Sequence, residues 1–128
     1  NNALRRFEAR VLQLLAEAGH DEVTPAQVHA TRHLDRAGTR LTDMAQRAAM
    51  TKQSMSELVA QLEAQGLVTR EADPHDGRAR RVCFTPRGLA WLRDFGAAVK
   101  QAEREQSRTL GADTLRDLKQ ALRRIDAG

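Results

Sequence analysis

The sequence predicts a mainly α-helical chain carrying one small antiparallel β-hairpin, with amphipathic helices flanking it on both sides. Three observations predict this class. Apolar residues recur at three- and four-residue steps over most of the 128 residues. The period shortens to about two only at 67–71 and 81–85, on either side of a turn punctuated by Pro74 and Gly77. Directly before that hairpin, two short helical patterns are separated only by Ala49 and Met50, so they must cross at a large angle, as in a helix-turn-helix.

The first element spans Ala3 to Ala18, with Leu4, Phe7, Val11, Leu14, Leu15 and Ala18 in helical phase and Gly19 as the stop. Thr24-Pro25 reads as an N-cap followed by proline in the first turn, opening a second helix expected to reach about Asp35. Leu41 to Ala48 places Leu41, Met44, Ala45 and Ala48 on one face. Thr51 to Gln65 carries the stripe Met55, Leu58, Val59 and Leu62, with Gly66 as its C-cap. In the hairpin, Val68, Val82 and Phe84 are the expected inward residues, which turns Cys83 outward. Thr85-Pro86 opens a helix with Leu89, Trp91, Leu92, Phe95, Ala98 and Val99, expected to run to about Thr109. A separate last helix is expected from Asp113 to Ile125, on Leu115, Leu118, Leu122 and Ile125.

This order describes a winged helix-turn-helix over 24–86 within a single domain, 1–128. The helices at 1–20 and 87–128 carry apolar faces that the central unit does not need for its own core. A second copy of the same helices is the simplest cover, giving a homodimer; folding back on the central unit as an intrachain cap is the alternative.

Composition narrows the function classes. The chain is 41% hydrophobic and 30% charged, ordinary for a folded domain, and its net charge of +4 suits a polyanionic partner. A single cysteine excludes an intramolecular disulfide framework and a Cys-based zinc finger. No apolar run approaches a membrane span and no signal pattern opens the chain, so a cytoplasmic location is expected. The chain begins at Asn1 rather than Met, and a native N-terminus upstream is expected. There is no Gly-rich phosphate loop, nucleophile elbow or paired-carboxylate pattern, so no enzyme and no cofactor is expected.

Three stretches carry a resemblance: Leu58-Val59-x-x-Leu62-Glu63-x-x-Gly66-Leu67-Val68-x-Arg70, then Asp73-Pro74-x-Asp76-x-Arg78, then Val82-x-Phe84-Thr85-x-x-Gly88. In this order and spacing they resemble the MarR family of multiple-antibiotic-resistance-type regulators. The resemblance covers nearly the whole chain. It implies a triangular homodimer with intertwined terminal helices and a ligand cavity where the dimerisation and DNA-binding parts meet. It also implies repression or activation of transcription by binding a pseudo-palindromic site in double-stranded DNA, a ligand-responsive repressor being the form expected here. Glu57 stands where many members carry a basic residue, so their sequence preference does not transfer.

The expected DNA contacts follow from residue chemistry. In the helix from Thr51, the first two turns offer Thr51, Lys52, Gln53, Ser54 and Ser56 beside the apolar stripe. Gln53 can pair with adenine, the serines can serve base edges or phosphate, and Lys52 suits phosphate. The hairpin offers Arg78, Arg80 and Arg81. A thin hairpin tip can reach a minor groove, and Arg78 is the expected tip residue. Asp76 is expected to support the wing by holding Arg80 or a neighbouring arginine, since a carboxylate facing phosphate is repelled.

Two further features concern regulation. His29 and His33 are four apart and share a helix face, which suggests an effector pocket for a small aromatic or anionic ligand. The spacing also suits zinc, though no third ligand is evident, and equally suits two partly exposed histidines with no ligand. An outward Cys83 after Arg80 and Arg81 could sense oxidants, but oxidation-sensing members of the resembling family carry their cysteine near the N-terminus.

Overall fold

The computed structural model describes residues 2–127, with side chains described through Ile125. The order is α1 (Asn2–Glu17), α2 (Pro25–Thr31), β1 (Thr39–Arg40), α3 (Leu41–Arg47), α4 (Lys52–Ala64), β2 (Val68–Ala72), β3 (Arg80–Phe84) and α5 (Pro86–Ala127). The strands form an antiparallel sheet in the order β1-β3-β2. Thr39 faces Val82 across β1 and β3, and Val68 faces Phe84 across β2 and β3.

Three helices end in the same hydrogen-bonded motif, which explains how the chain turns so tightly. After α1, His20 N–H donates to the Leu15 carbonyl at 2.8 Å, and Gly19 sits at φ +96°. After α4, Leu67 N–H reaches Leu62 at 3.0 Å, with Gly66 at φ +78°. After α3, Met50 N–H reaches Ala45 at 2.9 Å, but the left-handed residue is Ala49, at φ +53°. An L-residue with a Cβ pays about 1 kcal/mol for that conformation. The strain sits in the turn between α3 and α4.

Two apolar clusters hold the molecule together. The larger joins Ala30 and Leu34 from α2 and its following turn to Met44, Met55, Val59, Leu62, Val68, Val82 and Trp91. Trp91 belongs to α5 yet is fully buried here, stacked on Phe95 with ring centroids 5.3 Å apart. The smaller cluster packs Val11 and Leu15 of α1 against Ala98 and Ala102 of α5. Bidentate pairing of Arg10 with Glu105, at 2.8 and 3.0 Å, closes its outer edge. The guanidinium and the Gln101 amide pull the Glu105 carboxyl down to about 2.

Four expectations change. The predicted break near residues 110–112 is absent, and α5 is one helix of 42 residues. Nothing there compels a stop: Gly111 costs about 1 kcal/mol in a helix interior, far less than proline. Thr109 and Thr114 donate their hydroxyls back to the carbonyls of Glu105 and Leu110 instead of capping a new start. Asp113 pairs forward with Arg116 at 3.3 Å. α2 is shorter than expected, because after Thr31 the backbone tightens into i to i+3 bonds, with Leu34 N–H on Thr31. β1, two residues long, has no sequence period to reveal it.

The fourth change concerns Cys83, which is buried rather than outward. The turn before β1 covers that face of β3, and a Cβ on Gly38 would lie 2.9 Å from the Cys83 sulfur. Burial, then the neighbouring Glu71 carboxylate, push the thiol above its ordinary value. A covered thiol held protonated is a poor oxidant sensor.

Candidate nucleic-acid interface

The N-terminal half of α4 and the hairpin β2–β3 face each other across a concavity of about 500 Å³. Its walls bring together Lys52 and Ser56 of α4 with Arg78, Arg80 and Arg81 of the wing, five of the expected contact residues. Arg40, Thr42 and Arg70 join them there, and sequence reasoning missed all three. Gln53 lies in the adjoining hollow with Glu57, Ala60 and Leu41. Thr51 and Ser54 line neither. They close the helix start: the Thr51 hydroxyl donates to Ser54 Oγ at 2.9 Å and accepts the Ser54 N–H at 3.0 Å.

The cations are not equivalent. Arg40 Nε donates to Asp73 Oδ2 at 2.8 Å, tying β1 to the base of the wing. Asp73 Oδ1 also accepts the His75 N–H at 2.8 Å, and these two bonds, the backbone one first, lower the Asp73 carboxyl. Arg70 Nε donates to Glu63 Oε1 at 2.8 Å, joining β2 to α4. Both residues of that pair stand inside the Glu63-x-x-Gly66-Leu67-Val68-x-Arg70 pattern, a spacing from which the pair could have been found. Lys52, Arg78 and Arg80 have no ion-pair partner among the described residues. Their charge is free to meet an anion.

The wing is supported differently from the expectation. Asp76 Oδ1 accepts the backbone N–H of Arg78 at 3.1 Å, which shapes the tip, and no arginine side chain is held by Asp76 among the described residues. The carboxylate that does hold an arginine is Asp73. Arg81 lays its side chain over Gly38, with its Nε buried and unpartnered, so its stem is packing as much as charge.

Thr85 and Gly88 seat α5 on this unit. The Thr85 hydroxyl donates to the Gly66 carbonyl at 2.6 Å and accepts the Gly88 N–H at 3.0 Å. A Cβ at Gly88 would overlap the Leu67 carbonyl, so glycine is required by close approach.

A second concavity, about 160 Å³, lies between α1, α2 and α5. Phe7, Val11, Leu12, Val28, Phe95 and Val99 give it apolar walls, and Glu8, His29 and Arg32 give it a polar mouth. Of the two expected histidines, only His29 lines it. His33 lies beyond the end of α2, edge-on to His29 with centroids 5.1 Å apart and Nε2 buried without a partner. Burial, then the neighbouring His29, hold His33 below its ordinary value. Among the described residues no group of three or more His, Cys, Asp or Glu could hold a metal ion. No helix among them is long and apolar enough to cross a membrane.

Comparison with known proteins agrees with this geometry. A sequence model of the MarR family matches residues 22–79. The transcriptional regulator HosA of Escherichia coli is 32% identical over 91 residues, covering 69% of this chain and 67% of HosA. A probable transcriptional regulator from Pseudomonas aeruginosa has a similar structure at 28% identity, with a TM-score of 0.59 over 93% of this chain and 92% of its own. MepR of Staphylococcus aureus shares the fold in two structures. A variant bound to an oligodeoxyribonucleotide has 20% identity and a TM-score of 0.64, covering 90% and 89% of the two chains. The protein bound to ethidium bromide has 21% identity and a TM-score of 0.65, covering 90% and 88%. The chain belongs to the MarR family, as a winged-helix DNA-binding transcription regulator and not an enzyme.

Proposed function

We propose that this regulator represses transcription from the cytoplasm by binding a pseudo-palindromic operator as a homodimer, and that a small ligand releases it. The observation that carries the DNA part is the concavity where unpaired Lys52, Arg78 and Arg80 converge beside the exposed start of α4. Gln53 and Ser56 serve base edges in the major groove, and Lys52 serves phosphate. Thr51 and Ser54, already bonded to each other, present their remaining capacity to the backbone. Arg78 enters the minor groove from the wing tip, with Arg80 and Arg81 against the flanking phosphates and Asp76 shaping the turn.

Residues 24–86 act as the DNA-binding part of the domain 1–128, and 1–20 with 87–128 act as the dimerisation helices. Leu115, Leu118, Leu122 and Ile125 recur at three-, four- and three-residue steps along α5, and all are more than half exposed. That spacing is a coiled-coil seam lacking its partner, and a second copy supplies one of identical pattern.

The effector reading rests on the cavity between α1, α2 and α5. A dry cavity of about 150 Å³ accommodates one benzene-sized ring. Apolar walls with Arg32 and His29 at the mouth suit a small aromatic acid. MepR with ethidium bromide offers a parallel for ligand binding in a protein of this fold.

Titration of fluorescent duplexes from the region upstream of the regulator's own gene tests the proposal. The expected complex weakens steeply between about 50 and 200 mM salt. A complex insensitive to salt, or none at any concentration, would overturn it.

A further inference from the structure

α2 presents two opposite faces to two different parts of the molecule. Pro25, Val28, His29 and Arg32, at steps of three, one and three, line the cavity against α1 and α5. Gln27, Ala30, Thr31 and Leu34 repeat the same steps two residues on, and all four are buried. Ala30 and Leu34 belong to the apolar cluster that contains Met55, Val59 and Leu62 of α4. The seven-residue helix α2 and the turn that follows it therefore lie between the cavity and the recognition helix.

One polar contact fixes the register between them. Gln27 is 3% exposed, and its side chain is held at both ends. Its Oε1 accepts the Thr24 N–H at 3.2 Å, while its own N–H donates to Thr24 Oγ1, also at 3.2 Å, closing the start of α2. Its Nε2 donates to Gln61 Oε1 at 2.8 Å, on the third turn of α4. Apolar contacts between α2 and α4 can slide, whereas a hydrogen bond from a side chain already locked to its own helix cannot shift without breaking. Gln61 lies nine residues beyond Lys52, roughly 13 Å along the helix axis. Displacement at Gln61 therefore tilts the end of α4 that carries Lys52, Gln53 and Ser56.

We infer that the Gln27–Gln61 bond is the positioning contact through which occupancy of the cavity is transmitted to the DNA-reading helix. The inference rests on the effector reading above. Its logic is that a group entering the cavity pushes α2, and Gln27 carries the push to α4 in a fixed direction.

The test fills the cavity without any ligand. Val28→Phe from α2, or Val99→Phe from the opposite wall, places a ring in the space, and each is combined with changes at Gln61. Gln61 is exposed, so Gln61→Met keeps the fold and the Thr24–Gln27 cap while removing the acceptor. Gln61→Glu keeps an acceptor. In the parent background, filling should weaken operator affinity at least about tenfold, within the usual range of coupling between sites. In Gln61→Met the same filling should change affinity by less than about threefold, and Gln61→Glu should restore the large response. Gln61→Met alone should stay within about threefold of the parent, as befits a residue off the DNA face. An equal response in the parent and Gln61→Met overturns the coupling role and leaves the cavity as an effector site. No response to either filling substitution in any background overturns the coupling role and the effector reading together.

Discussion

The winged helix and the distal half of α5 are opposite solutions to burying apolar surface. In the winged helix, Met44, Met55, Val59, Leu62, Val82 and Trp91 are covered within one chain, and the C-terminal ends of α3 and α4 are closed by backbone hydrogen bonds. In α5 beyond residue 105, every leucine is exposed, from Leu122 at 52% to Leu110 at 59%, and Ile125 stands at 73%. The first region buries its apolar residues within one chain, while the second leaves its own exposed and is the face the proposed dimer would cover. On the proposed dimer reading, each protomer keeps its own reading surface, and affinity for the operator depends on the arms that would join two of them.

Substitutions can break this division at either end. Trp91→Ala should be the most damaging, costing about 3–5 kcal/mol, because it empties the winged-helix core from the α5 side. Urea unfolding measures it, and a loss below about 1 kcal/mol would mean that Trp91 of α5 does not help hold the winged-helix core. Next, Leu118→Glu with Leu122→Glu should leave each protomer folded but monomeric. Operator affinity should fall about 100-fold, the order of avidity lost when two linked sites become one. Sedimentation and anisotropy report both, and a dimer that survives the double change would refute the seam.

Smaller changes sharpen the picture. Arg78→Ala should weaken DNA binding by about 1–2 kcal/mol and reduce the salt slope by about 0.9, leaving the melting temperature unchanged. Unaltered affinity across several salt concentrations would remove Arg78 from the interface. Gly111→Ala should stabilise α5 by about 1 kcal/mol, since a Cβ there meets nothing within 4 Å. A loss of helicity by circular dichroism would instead indicate a real break at 111.

The least effect is expected at His33, whose imidazole is held below its ordinary value of 6.5, chiefly by burial. The folded protein therefore binds fewer protons than the unfolded chain, and stability from this group is complete above 6.5 and declines as pH falls below it. His33→Gln should reduce the drop in melting temperature between about pH 7.5 and 5.5. An identical drop in both proteins would show that His33 stays accessible to protons.

Much of this was legible from residue order. The periods marked α1, α3, α4 and the wing strands to within a residue or two, because each has one buried face. Glycine at 19 and 66 signalled two of the three tight helix ends, while Ala49 disguised the third. What escaped notice depends on contacts distant in sequence. Arg40 enters the basic concavity only because β1 joins the edge of β3, and a two-residue strand has no period. Cys83 looks outward by alternation alone, and only the packing of Gly38 buries it. The sequence predicts separate helices ending near Thr109 and starting at Asp113, but Gly111 between them carries only a small local cost, which a long helix absorbs. The two acids of the wing were distinguishable only in three dimensions: Asp73 reaches back to Arg40, while Asp76 serves the backbone of the tip.

The seat of α5 on Leu67, which admits only glycine at 88, gives the molecule a mechanical gain. With 42 residues, α5 is about 63 Å long. A tilt of about 5° at that seat moves the far end by about 5 Å, more than the roughly 3.4 Å rise of one base pair. In the proposed dimer, small rotations at the seat could therefore absorb a change of one base pair in the distance between half-sites. They cannot absorb its phase, because one added base pair also turns the second half-site by about 35° around the duplex axis. In the proposed dimer such a lever forgives a length change of one base pair but not the accompanying change in angle, so even a single inserted base pair should weaken binding through its phase.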